Sequence, residues 1–414
     1  MIHQAKQKGR IMKRRMIAVL LSGILLCSAA GCGKEAVTDK STAASSSQEV
    51  TETPAAEESP EASSSSADST AESASASTSS ESSGDEGKEA DKKRIEITVP
   101  HKDGMEALYD TVDGLTVEKG SYIAVVAKDL SAGFWKAVKA GAQQALDDLN
   151  ASLGYTGNDK VYMTFEGPEN ESDTNSQINI IDSVISENPD ALILGIIDQQ
   201  SGQAQMEVSQ IPVVIADSGI ESDLITSTCA TDHAAAAKLA ADHLCEAIGN
   251  SGEVAIVAHQ YNTESSVERV EAFKKEIEEK YTDVKVVQVN YGDGEESIAD
   301  MLKNTLETYP ALKGIFCTNE DMADQTLDAL ADMENTEQIQ IVGFDSGEKQ
   351  QKAIQEGREY GTVTQNPYGL GYAAIVAAVR AIQGLPVDQK IDTGYQWIDK
   401  DTIDLETNQK YLYN

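Results

Sequence analysis

Basic residues are scarce in this chain, and their scarcity excludes a whole class of partners. Lys and Arg number 33 against 69 Asp and Glu, giving a formal net charge of -36 and a pI near 4.4. Such a surface repels phosphate backbones, so nucleic acid is not an expected partner. Cysteine is scarce too, with five in all. Cys27 and Cys32 lie near the start, and Cys229, Cys245 and Cys317 have no close spacing. No zinc or disulfide framework follows from that pattern. Buried free thiols are expected, with a Cys229–Cys245 bridge as the alternative. The five histidines show no ligand spacing, so neither a metal nor a cofactor is expected, and His233 beside Asp232 reads as a helix cap. No serine sits in a Gly-x-Ser-x-Gly turn, which leaves hydrolase chemistry without a foothold. The turn Lys128-Asp-Leu-Ser-Ala-Gly-Phe-Trp135 has one glycine followed by two aromatics, where a dinucleotide site needs a glycine-rich loop. The expectation is a protein that is not an enzyme.

Long apolar runs are also missing. The run Met16 to Leu26 is too short to span a bilayer, and Lys13-Arg14-Arg15 precedes it. Basic, apolar and small residues in that order read as a signal peptide, residues 1–31. Ser28-Ala-Ala-Gly-Cys32 resembles the lipobox of bacterial lipoproteins, with Ala29 where Leu is usual. That resemblance implies a lipid on Cys32 and a place on the outer face of the cell membrane. Residues 32–94 then form a tether rich in Ser, Ala and Glu, which cannot bury enough apolar surface to order itself. As a random coil it would span roughly 40–45 Å. Residues 95–120, with the alternating stretch Ile95–Pro100, are an N-terminal extension without an assigned place.

From Tyr122 the chain turns regular. Apolar strand-like runs at 122–127, 161–165, 191–197, 211–216, 253–258, 284–289, 314–318, 339–344 and 360–364 alternate with amphipathic segments. This is the pattern of parallel sheets built from βαβ units, and so of an α/β fold. Nine or so strands with a break near 230 suit two lobes better than one wide sheet. Segment 368–383 is nearly all apolar and should be a deeply packed helix. Three strands end on Asn319, Asp345 and Gln365. Ligands of parallel α/β sheets bind beyond the carboxyl ends of strands, so these three should share one crevice. Phe134 and Trp135, at a strand-to-helix turn, read as a platform for the apolar face of a sugar ring, or else as core.

Six segments then carry a resemblance. Ile123-Ala-Val-Val, Gly133-Phe-Trp-Lys-Ala-Val-Lys-Ala-Gly-Ala, Pro212-Val-Val-Ile-Ala-Asp217, Arg269-Val-Glu-Ala-Phe273, Thr318-Asn-Glu-Asp-Met-Ala323 and Val342-Gly-Phe-Asp-Ser346 occur in that order. From about residue 121 onward the chain resembles the ribose-type sugar-binding proteins of ABC transporters, the periplasmic-binding-protein type I family. The resemblance implies two Rossmann-like lobes with parallel sheets, joined by a three-stranded hinge and closing over ligand. It places lobe 1 at about 121–231 and 366–392, and lobe 2 at about 232–365 and 393–414. It implies that Phe134 and Trp135 sandwich a sugar ring, Asp217 accepts from its hydroxyls and Arg269 donates a fork of N–H groups. Asn319, Asp345 and Gln365 would complete the site. Arg269 has a plainer alternative, pairing with Glu264, Glu268 or Glu271. Asp198, Gln260, Tyr261 and Asn262 also lie past strand ends and are further candidates for the cleft. The expected role is a monomeric lipoprotein that delivers a monosaccharide or related polyol to ABC permease subunits. A ligand-sensing module for a chemoreceptor or histidine kinase is the alternative. Two departures speak against ribose itself. Ala132 stands where ribose binders carry Asn, and Ser218 follows Asp217 where they carry Arg.

Overall fold

The computed structural model describes residues 94–101 and 106–413. The signal segment, Cys32 and the Ser-rich stretch lie outside the described residues. In chain order the strands are β1 Thr98–Pro100, β2 Glu106–Leu108, β3 Tyr122–Val126, β4 Tyr162–Glu166, β5 Ala191–Leu194, β6 Val213–Ala216, β7 Ile225–Ala230, β8 Gly252–Ala258, β9 Val284–Tyr291, β10 Leu312–Cys317, β11 Gln340–Phe344, β12 Gly361–Gln365, β13 Lys390–Asp392 and β14 Tyr395–Asp399.

Two six-stranded sheets result. The first has the order β13-β7-β6-β5-β3-β4 and the second β14-β12-β11-β10-β8-β9. All neighbours in them pair in parallel except β14, which runs antiparallel to β12. The chain crosses from one sheet to the other after β7, after β12 and after β13.

The apolar runs follow from burial on both faces. In β3 and the residue after it, Ile123, Val125 and Ala127 enter one apolar cluster while Tyr122, Ala124 and Val126 enter another. In β8, Val254, Ile256 and Ala258 face one side and Ala255 and Val257 the other. Helices fill both sides of each sheet. Asp173, Asp232, Ser297, Asn319 and Asn366 each cap a helix N-terminus by accepting a backbone N–H. The cap at Asp232 leaves His233 for another task.

The first sheet is covered by helix Gly133–Leu153 lying against helix Pro367–Ile382. Their backbones meet where glycines remove the side chains. A methyl at Gly371 would fall inside the van der Waals radius of the Val138 carbonyl oxygen, and one at Gly141 would strike the Tyr368 carbonyl. Helix propensity alone favours Gly371→Ala by about 1 kcal/mol. Overpacking a closed backbone contact costs about 1–3 kcal/mol. The variant should therefore unfold at lower denaturant. Equal or greater stability in urea would mean that the two helices part freely.

Residues 95–120 are not an appendage. β1 and β2 form an antiparallel hairpin, and Ile97, Tyr109, Val112, Leu115 and Val117 are buried in the core of the first sheet. The Tyr109 hydroxyl donates to Asp388 at 2.8 Å, and Arg94 donates to the Tyr372 hydroxyl at 2.7 Å. Cys229, Cys245 and Cys317 are free and buried, so the alternative bridge is not formed.

Candidate functional site

A cavity of about 370 Å³ lies between the two sheets, beyond the carboxyl ends of their strands. Phe134, Trp135, Asp217, Arg269, Asn319, Asp345 and Gln365 all line it. Both aromatics are also core residues, so the two sequence readings of them are compatible. Their rings meet edge to face at 5.5 Å between centroids, and Trp135 fits only because Gly195 leaves no side chain in its way.

The two lobes present an acid in the same manner. Asp217 follows β6 and Asp345 follows β11, with φ of 73° and 79°. Each backbone N–H first makes one more sheet bond, to Cys229 and to Val363, at 2.9 Å in both cases. The left-handed turn then throws the carboxylate into the cleft. Aspartate is among the few non-glycine residues that tolerate this region.

On the first lobe, Lys128 sits at the end of β3 and is only 4% exposed. Its ammonium reaches Asp217 Oδ2 at 2.8 Å and Glu171 Oε1 at 2.6 Å. Burial alone would lower the Lys128 pKa, but the two carboxylates override it and hold it above its ordinary value. Burial would likewise raise Asp217. Lys128, with Arg269 behind it, instead holds Asp217 well below the usual carboxylate range. Sequence reasoning missed Lys128. The donors missing at Ala132 and Ser218 are thus partly replaced by an ammonium that stands in the same β3-to-helix turn as Ala132.

Arg269 is buried, and its partners are not the neighbouring glutamates of its helix. Nη1 donates to the Thr318 carbonyl at 2.7 Å, Nη2 donates to His233 Nδ1 at 3.1 Å, and Asp217 lies 3.8 Å away. The guanidinium also stacks over Phe344, 3.8 Å from the ring centroid. His233, read from sequence as a cap, is a buried relay instead. Burial and the Arg269 charge push its pKa down to about 3, so the ring is neutral. With Nδ1 accepting from Arg269, the proton is assigned to Nε2, which faces the Asp217 carbonyl at 3.2 Å.

On the second lobe, Gln365 donates to Asp345 Oδ1 at 2.7 Å and the Glu320 backbone N–H donates to Oδ2 at 3.2 Å. Asn319 Oδ1 accepts from Met322 N–H at 3.0 Å, which leaves its amide NH₂ for the cavity. Burial pushes the Glu320 carboxyl up to about 8, with Asp345 adding to the effect. Burial also pushes Asp324 up to about 6. His259, in contact with Thr318 at 2.8 Å, is held well below its ordinary pKa by burial and by Lys128.

Three hydrogen bonds join the lobes at one side of the cleft. Gly219 N–H donates to Glu264 at 2.6 Å, Gln199 N–H donates to the Asn262 carbonyl at 3.1 Å, and the Thr263 hydroxyl donates to the Ile197 carbonyl. Elsewhere, Tyr413 packs edge-on against Phe134, 6.3 Å between centroids. Gln260 lines the cavity as expected. Asn262 serves the inter-lobe contact, Tyr261 is exposed, and Asp198 accepts from Gln200 N–H within its own loop. Met322 lies over Gly292 in the cavity wall.

Comparison with known proteins agrees with this geometry. The periplasmic binding protein domain family matches residues 123–386. The ribose import binding protein of Haemophilus influenzae is 26% identical over 272 residues, covering 65% of this chain and 88% of that protein. The D-allose-binding periplasmic protein of Escherichia coli is 26% identical over 302 residues, covering 67% of this chain and 92% of its own. An ABC transporter solute binding protein of Agrobacterium vitis, solved with bound D-fucose, superposes with a TM-score of 0.64 at 27% identity, over 71% of this chain and all of the other. With two parallel-sheet lobes, three crossings between them and a family match that runs through both sheets, the chain belongs to the periplasmic binding protein domain family and has its type I fold.

Proposed function

We propose that this chain is an extracytoplasmic solute-binding protein that captures a monosaccharide or related polyol between its lobes and delivers it to the permease of an ABC importer. The observation that carries the reading is the convergence of seven side chains, from both lobes, on one cavity. Phe134 and Trp135 offer apolar surface to the C–H face of a ring. Asp217, Asp345 and Gln365 accept from hydroxyls, while Arg269, Asn319 and Lys128 donate. Closure is favoured because each lobe bonds a different edge of the ligand. The ligands named for the similar proteins, ribose, allose and fucose, support the class.

The same reading includes a lipid on Cys32, a tether over residues 32–94 and a monomeric body. It divides that body into lobe 1 at about 121–231 and 366–392, and lobe 2 at about 232–365 and 393–414. The ligand leaves unchanged, since the role is capture and not turnover.

A thermal-shift screen of pentoses, hexoses and polyols tests the proposal. A true ligand at 100 times its Kd should add about 2.7 kcal/mol of stability. A flat response across the whole panel would remove the sugar reading.

A further inference from the structure

The charge of the cavity wall is not balanced. Seven carboxylates line it against two cationic side chains, Lys128 and Arg269. Lys128 is committed to the first-lobe acids, and Arg269, from the second lobe, is shared between Asp217 and Asp345. Lys128 bridges Asp217 and Glu171, and Arg269 stands 3.8 Å from Asp217. Asp129 is committed as well, because its Oδ1 accepts from Ser131 and Ala132 to form the turn before the helix. The second-lobe wall carries Glu320, Asp321, Asp324 and Asp345, and Arg269, the cation that lines the cavity from that lobe, is divided between Asp217 and Asp345. Lys136, whose charge acts on Glu320, is exposed and donates to the Ser131 carbonyl.

A second observation concerns hydrogen bonds. Gln365 is 2% exposed, its N–H is given to Asp345, and its Oε1 is buried with no hydrogen-bond partner among the described residues. Glu320 Oε2 and Asp324 Oδ1 are in the same condition. This wall therefore has buried acceptors and surplus negative charge together. A neutral hydroxyl supplies one donor and no charge. An ammonium supplies three donors and the missing charge. Burial and Asp345 push the Glu320 carboxyl up to about 8, as befits a buried acid without a close counter-ion.

We propose that the preferred ligand is an amino sugar or amino polyol, with its protonated amine seated among Glu320, Asp345 and Gln365 and its hydroxyl edge turned to Lys128 and Arg269. The inference rests on the sugar-binding reading and narrows it.

Calorimetric titration of the full chain tests it with three sets of probes. These are glucosamine, galactosamine and mannosamine, their parent hexoses, and their N-acetyl forms, which keep the nitrogen but remove the charge. At least one amine should bind ten or more times tighter than both its parent and its N-acetyl form. Glu320→Gln should shrink that gap, with melting temperature recorded to show that the variant is folded. A parent sugar that binds as tightly as its amine overturns the inference and leaves the sugar reading standing. An undiminished gap in Glu320→Gln overturns the placement of the amine. Silence from all three sets removes the sugar reading, and this inference with it.

Discussion

Replacing Lys128 with methionine should destabilise the unliganded protein by about 3–5 kcal/mol, because it leaves buried Asp217 and part-buried Glu171 without their counter-ion. For a body of this size that is a fall on the order of 10 °C in melting temperature. Lys128 is 4% exposed and is the ion-pair partner that Asp217 and Glu171 share. Methionine fills most of the same volume, so the loss measures charge and not a cavity. The pH dependence supplies the control. In the native protein Asp217 is held below its ordinary pKa. Its contribution is present at neutral pH and disappears only as acid protonates it. Without Lys128, burial raises Asp217 above its unfolded value and pushes Glu171, already raised by burial in the native protein, higher still. The folded variant then binds more protons than the unfolded chain, so its stability declines as pH rises through the new pKa values. The deficit should be larger at pH 7 than at pH 5. Melting curves at both values check this, and an equal deficit at each would show that Lys128 acts by packing alone.

The buried cation also shows which parts of this protein a sequence can disclose. Strands β3, β5 and β6 are legible because both faces are buried, which makes every residue apolar. β7 is not, since Ile225-Thr-Ser-Thr-Cys-Ala230 carries three consecutive polar residues near the margin of the sheet, next to the three-residue β13. β14 is antiparallel and only partly covered, so it lacks the apolar signature. The segment around the hairpin near residue 100 meets partners far along the chain, β13 at β1 and Tyr372 and Arg380 at Arg94 and Tyr109, and local pattern carries no trace of that. The site divides in the same way. Asn319, Asp345 and Gln365 stand out because each ends an apolar strand. Lys128 ends one as well, and a lysine directly after the six-residue apolar run Tyr122–Ala127 was the available signal. Its meaning depends on Asp217 and Glu171, which only the fold brings to it. His233 carries no such mark. Its neighbour Asp232 is the cap, and its own role comes from Arg269 packing against it.

The largest effect on binding is expected at Asp345. If it grips the ligand as proposed, Asp345→Asn should weaken affinity by a factor of a hundred or more while the fold persists. Asparagine tolerates the φ of 79° found there, so the backbone need not move. Both carboxylate oxygens already accept, Oδ1 from Gln365 and Oδ2 from the Glu320 N–H. An amide has only one oxygen, so its NH₂ must face one of these donors. Either Gln365 turns away from the cavity or the start of the following helix loses its bond. The ligand also loses a charged acceptor, and hydrogen bonds to charged groups contribute about 1.5–3 kcal/mol each. Two such bonds account for the expected factor. Asp345→Ala is the less informative variant. It removes the same acceptors but also forces alanine into the left-handed region, at a cost of about 1–3 kcal/mol. Its unliganded melting temperature should therefore fall below that of Asp345→Asn, while both lose ligand-induced stabilisation. If Asp345→Asn keeps the native shift with a sugar that stabilises the parent protein, the ligand does not touch this carboxylate. The shared geometry of Asp217 and Asp345 would then serve the hinge and not the site.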